Sequence, residues 1–142
     1  MNKRFICIIC LLSALFAAPA YAFEEKLEFM EVSLPLNWEV AKSTNAEVVL
    51  ENKAQQATFI VKKIPVYNIS LESYARAIMK AYGGYNFTKR TNSIYYFEQL
   101  YGYRNAWTLV EYYKGRKDML ITKTGIGDSS DFIFIMDSIR FK

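Results

Sequence analysis

Between residues 57 and 63 the chain reads ATFIVKK, with Phe59 and Val61 alternating with Thr58, Ile60 and Lys62. A period of two places these sets on opposite faces of an extended strand. EVVLEN at 47–52 is equally rich in β-branched residues, and the polar KAQQ between the two runs predicts a hairpin. Upstream, LEFMEVSLPLNWEV at 27–40 reads as an extended opening segment with a turn at Pro35 and Asn37. The period then changes. In SLESYARAIMKAYGG, Leu71, Tyr74, Ala75, Ile78, Met79 and Tyr82 recur at helical spacing, while Glu72, Ser73, Arg76 and Lys80 fall on the other side. Ser70 is a natural N-cap, Glu72 complements the positive end of the helix dipole, and Gly83 with Gly84 stops the helix, which the spacing places over residues 70–82.

Four extended runs follow, at 85–90, 93–101, 106–113 and 116–124. Turn signals at residues 102–105 and at Gly115 make the last three an antiparallel meander. In the closing segment DFIFIMDSIRFK, Phe132, Ile135, Met136 and Ile139 return to helical spacing, which predicts a terminal helix over about 130–138 capped by Ser129 or Ser130. On the run at 93–101, Tyr95, Phe97, Gln99 and Tyr101 face one way and Ile94, Tyr96, Glu98 and Leu100 the other, so neither face is purely polar. The same holds for Trp107, Leu109, Glu111 and Tyr113 against Ala106, Thr108, Val110 and Tyr112. A sheet apolar on both sides needs cover on both sides. The expected fold class is therefore α+β: an antiparallel β-sheet with helices on both faces, one from 70–82 and one from 130–138.

Two short motifs extend this reading. VSLPLNWEV sets Leu34, Pro35 and Trp38 in a turn with an aromatic anchor, and the ending DFIFIMDSIRFK runs from a helix into Ser138, Ile139 and Phe141. Across residues 27–142 the chain resembles the Mog1/PsbP-like superfamily. That resemblance implies an α/β/α sandwich and a non-enzymatic accessory role, and it carries over no catalytic residue. Members include a photosystem II extrinsic subunit, a cofactor of a small GTPase in nuclear transport, and bacterial envelope proteins; an export signal agrees with the last of these.

Such a signal is visible at the N-terminus. Lys3 and Arg4 precede an apolar run from Phe5 to Phe16 broken only by Ser13, and Ala20 and Ala22 flank Tyr21 in the A-x-A pattern of a signal-peptidase site. The run is short of the roughly 20 apolar residues that a membrane span needs. Residues 1–22 are thus expected to be a cleaved signal peptide and residues 23–142 a single domain, with no transmembrane segment after cleavage and a periplasmic or secreted destination. Both cysteines, Cys7 and Cys10, leave with the signal, so no intramolecular disulfide is expected. Lys3 and Arg4 leave too, which lowers the net charge from +4 to +2. The remaining basic pairs, Lys62–Lys63, Lys89–Arg90 and Arg116–Lys117, are scattered rather than gathered on one face, and no nucleic-acid partner is expected.

The 142-residue chain contains no histidine. Serine–histidine and cysteine–histidine nucleophile systems therefore lack a base or a nucleophile, and ordinary zinc and haem sites lack their usual ligands. No catalytic residue, metal site or cofactor is expected. GIGDSS at 125–130 lacks the lysine and the spacing of a P-loop. Carboxylate chemistry survives the test, and Glu98 with Glu111 is the pair to consider, since a glycosidase needs two acids about 5–10 Å apart.

Most of the aromatic residues between 95 and 113 are assigned to the core. The exceptions lie beside GYRNA, where Tyr101, Tyr103, Arg104 and Trp107 form an aromatic rim of the residue types enriched at interface hot spots. The leading functional expectation is a non-catalytic accessory or binding protein of the bacterial cell envelope that contacts an envelope protein partner through this rim. The alternatives are a binder of a glycan or lipid fragment, using a pocket between sheet and helix, and an acid-pair hydrolase.

Overall fold

A computed structural model of the protein describes residues 22–142. Apart from Ala22, the signal-peptide reading falls outside the described residues. The elements run β1 (Ala22–Lys26), β2 (Met30–Pro35), β3 (Glu39–Ser43), β4 (Glu47–Asn52), β5 (Ala57–Pro65), α1 (Leu71–Ala81), β6 (Tyr85–Thr91), β7 (Ile94–Tyr101), β8 (Arg104–Tyr113), β9 (Arg116–Ile126), α2 (Asp131–Ser138) and β10 (Arg140–Phe141).

These elements form two antiparallel sheets, a seven-stranded one ordered β3-β4-β5-β9-β8-β7-β6 and a three-stranded one ordered β1-β2-β10. This corrects the expected α+β sandwich with helices on both faces. Among the described residues, strands hold 57 % and helices 16 %, so this part of the chain is mostly β. The reason is one of dimensions. Seven strands at about 4.8 Å spacing span close to 30 Å, whereas a helix is only about 10 Å wide. Neither α1, with 11 residues, nor α2, with 8, is large enough to form a layer. The opening segment supplies the missing cover: β2 is almost wholly buried and, with α2, packs Met30, Val32, Leu34, Phe132 and Ile135 against Val48, Leu50, Phe59 and Val61 of the large sheet.

On the opposite face, α1 packs Leu71 and Ala75 against Tyr95, Phe97, Val110 and Leu120. It begins as its sequence predicts, with Ser70 in an extended conformation and its side chain accepting from the Ser73 amide at 3.2 Å. Alternation in β5 also holds, since Phe59 and Val61 are fully buried and Thr58, Ile60 and Lys62 are not. For α2 the side-chain cap is Ser129, whose Oγ accepts from the Asp131 amide at 3.1 Å; Ser130 makes no capping bond.

The residues that carried the family resemblance hold the second layer together, and the chain end ties it to β8. Trp38 Nε1 donates to Asp131 Oδ2 at 2.9 Å, tying the β2–β3 turn to α2. Ser138 Oγ accepts from the Ser33 amide at 3.0 Å, the Phe141 ring stacks on Phe29 at 6.5 Å, and Tyr113 Oη donates to the Lys142 carbonyl.

Both outer strands of the large sheet are irregular. The register of β6 on β7 breaks between Tyr85 and Thr88 and again between Lys89 and Thr91, and that of β3 on β4 breaks between Val40 and Lys42. Near the break in β3, Glu47 at the head of β4 meets Lys42 at 2.9 Å and Lys62 at 3.7 Å. The hydrogen bond from Lys42 is the main reason that the Glu47 carboxyl titrates below its ordinary value of 4.5, with both lysine charges adding to it against partial burial. A depressed acid stabilises the fold only where it is ionised. Glu47→Gln should therefore lower stability by less than about 1 kcal/mol at neutral pH. In urea titrations that difference should be complete above pH 4.5 and close as the pH falls through the lowered value. An equal difference at every pH would contradict the assignment.

Candidate binding site

Antiparallel pairing brings the β4–β5 turn, the β7–β8 turn, the β9–α2 loop and the start of β6 to one end of the large sheet. Three bonds knit this end together. Arg104 Nη1 donates to the Gln56 carbonyl at 2.8 Å, the Gly127 amide to the Asn105 carbonyl at 2.8 Å, and Ser129 Oγ to Gln55 Oε1 at 2.6 Å.

The four residues of the expected rim lie at this end, but the sheet divides them. Tyr101 and Arg104 pair across a two-residue turn, Gly102-Tyr103, in which Gly102 takes a φ of 65°. A glycine at the first central position suits the tight turn that continues the twist of a hairpin. The turn holds Tyr103 out at 91 % exposure, beside Tyr101 at 55 % and Leu100 at 57 %. Tyr101, Tyr103 and Arg104 join Glu51, Lys53 and Gln56 around an open depression of about 550 Å³.

Trp107 belongs elsewhere. It lies on the face that carries α2, half-buried, 6.1 Å from the Phe59 ring and 5.7 Å from Phe132, which it meets edge-on. Its position depends on Gly125, its partner in β9. A methyl group there would stand 2.5 Å from Trp107 Cζ2 and 2.6 Å from Cε2, so the indole lies over the bare backbone of β9. Expecting Trp107 to be an open rim residue with Tyr103 overlooked this inward packing.

Trp107 instead forms part of a second, larger cleft of about 700 Å³ between the sheet, the β9–α2 loop and the start of α2. Tyr85, Glu98 and Trp107 make one row across β6, β7 and β8, and Tyr96 lies two residues before Glu98 on the same face. Phe132 and Asp128 line the far side. Asn86 Nδ2 donates to Glu98 Oε2, and Tyr96 Oη to Oε1 at 3.4 Å, which orients the carboxylate. Burial pushes the Tyr96 phenol above its usual range, and the neighbouring Glu98 charge adds to the rise against a smaller opposing effect of Arg90. Tyr96 therefore keeps its proton and remains a donor to Glu98. The guanidinium of Arg90 stacks over the Tyr96 ring, 4.0 Å from its centre, where the cleft continues into a shallower groove along α2.

Sequence alternation already put Tyr96 and Glu98 on one face of β7. What it lacked was register: the match of Glu98 to both Tyr85 and Trp107 gathers three rings around one carboxylate, and only the paired strands show it. Register also separates the acid pair considered for hydrolysis. Glu98 faces Trp107 while Glu111 lies four residues further along β8, or about 13 Å at 3.3 Å per residue, beyond the glycosidase range. Glu111 is bound instead to Lys123 at 2.8 Å. Among the described residues, no group of three or more histidine, cysteine or acidic side chains is placed to hold a metal, and no helix is long and apolar enough to cross a membrane. No family model and no curated protein matches the chain.

Proposed function

We propose that this protein is an exported, non-catalytic binding protein that contacts an envelope protein partner through the β7–β8 hairpin tip. One observation carries the reading. Tyr101 and Tyr103 stand out into water at a two-residue turn braced by Arg104, and Leu100 is exposed beside them on the other face of β7, so three large side chains with apolar surface are gathered at the tip. A rigid aromatic group with an adjacent arginine and a ring of polar side chains has the make-up of an interface hot spot. The resemblance of VSLPLNWEV and the chain ending to Mog1/PsbP-like accessory proteins supports the same class, and the basic, apolar N-terminus supports export. Trp107 is not part of this contact.

The test is site-specific photocrosslinking in living cells. A crosslinker at Tyr103 should capture a discrete partner, while one at Tyr67, which is 82 % exposed beyond the far end of β5, should not. Tyr101→Ser with Tyr103→Ser should abolish capture by a crosslinker at Leu100 and leave the unfolding midpoint within about 0.5 kcal/mol of the parent, as expected for surface changes. Identical products from positions 67 and 103, or undiminished capture by the double variant, would refute the tip as the contact.

A further inference from the structure

We propose that the cleft floored by Tyr85, Glu98 and Trp107 is a binding site for a small organic cation, an ammonium or quaternary ammonium compound. Two observations converge on that chemistry. The cleft wall contains two acids, Glu98 and Asp128, and neither a lysine nor an arginine, in a chain whose formal net charge is positive. Around Glu98 stand Tyr85 and Trp107 as cross-strand neighbours and Tyr96 on the same strand, with Phe132 opposite. Aromatic faces attract cations through the ring quadrupole, and a cage of such rings with a carboxylate at its floor is the common solution for alkylammonium groups. Next door, Arg90 rests its guanidinium on Tyr96 at the mouth of the adjoining groove, so one face of that ring is taken by the protein's own cation and Tyr85 and Trp107 are the principal rings left for a ligand.

The start of α2 also faces the cleft and would favour an anion. Its dipole is worth about half a charge, however, and Asp131 in its first turn offsets part of that. The two whole negative charges of Glu98 and Asp128 exceed that half charge taken together with the single charge of Arg90 at the adjoining groove. Glu98 retains capacity as well, because a carboxylate has about four acceptor positions and Asn86 and Tyr96 take two of them. The proposal is independent of the hairpin tip, which lies outside this cleft.

Choline and its uncharged isostere 3,3-dimethylbutan-1-ol separate charge from shape. Titration of the purified protein, followed by tryptophan fluorescence and calorimetry, should show saturable choline binding that weakens with salt, and an affinity for the alcohol at least about tenfold lower, as cation–π contact combined with a carboxylate implies. Glu98→Gln should reduce choline affinity about tenfold with unchanged circular dichroism, and Asp128→Asn should reduce it to a lesser extent. Glu72→Gln, an equal change of charge on the exposed face of α1, should have no effect. Equal binding of choline and the alcohol, saturation by cellobiose or acetate but not by choline, indifference to Glu98→Gln, or no response to about 50 mM choline would each overturn the proposal.

Discussion

Replacing Phe59 by alanine should remove about 3–5 kcal/mol of stability, the usual loss for truncating a fully buried ring. Phe59 has no solvent exposure and lies on β5, one of the inner strands of the large sheet. Its ring is 6.1 Å from Trp107 and 6.0 Å from Phe132, and Phe132 in turn meets Trp38 at 5.9 Å. The void would therefore open at the junction of the sheet, α2 and the β2–β3 turn, where four rings support one another. Whole domains are stable by only about 5–15 kcal/mol, so the variant should be close to unfolding at growth temperature. Urea denaturation should show a much lower midpoint at an unchanged slope. A loss below about 1 kcal/mol would mean that the rings do not form a common support.

Gly125→Ala should also destabilise the protein, although two effects oppose each other. Its φ is not in the left-handed region, so alanine is permitted by the backbone and would by itself add about 0.5–1 kcal/mol by removing the freedom of a glycine. Against that, the new methyl group would stand within 2.5–2.8 Å of three atoms of the Trp107 indole. The indole cannot swing aside freely, since Phe59 and Phe132 pack on it. Overpacking of this kind costs about 1–3 kcal/mol, which exceeds the gain. The variant should unfold at lower urea and show altered Trp107 emission. In a Trp107→Leu background the same substitution should be neutral or favourable; an equal penalty in both backgrounds would show that the clash is not with the indole.

How far the sequence spoke for itself differs between levels. Local periodicity located α1, with its Ser70 cap and glycine stop, and every strand from β4 to β9 to within a few residues, because each buries one stripe and the stripe repeats. The architecture was misjudged at the ends of the chain. Residues 27–40 were legible as extended, but pairing of β2 with the two-residue β10 joins residues more than a hundred positions apart, and no local period encodes that. The rim was half legible for a related reason. Exposure of Tyr103 follows from a two-residue turn, whereas the fate of Trp107 rests on a glycine in another strand. Composition removed histidine chemistry outright, yet the cleft around Glu98 emerges only once three strands stand in register.

The uneven outer strands bear on how the molecule behaves in a crowd. A straight, open margin would let one copy continue another by main-chain bonding, the route to fibres. Here β6 is twice interrupted and carries Lys89 and Arg90, and β3 is interrupted beside Lys42. Neither margin offers a long uninterrupted template, so copies meeting along the large sheet have little to zip onto.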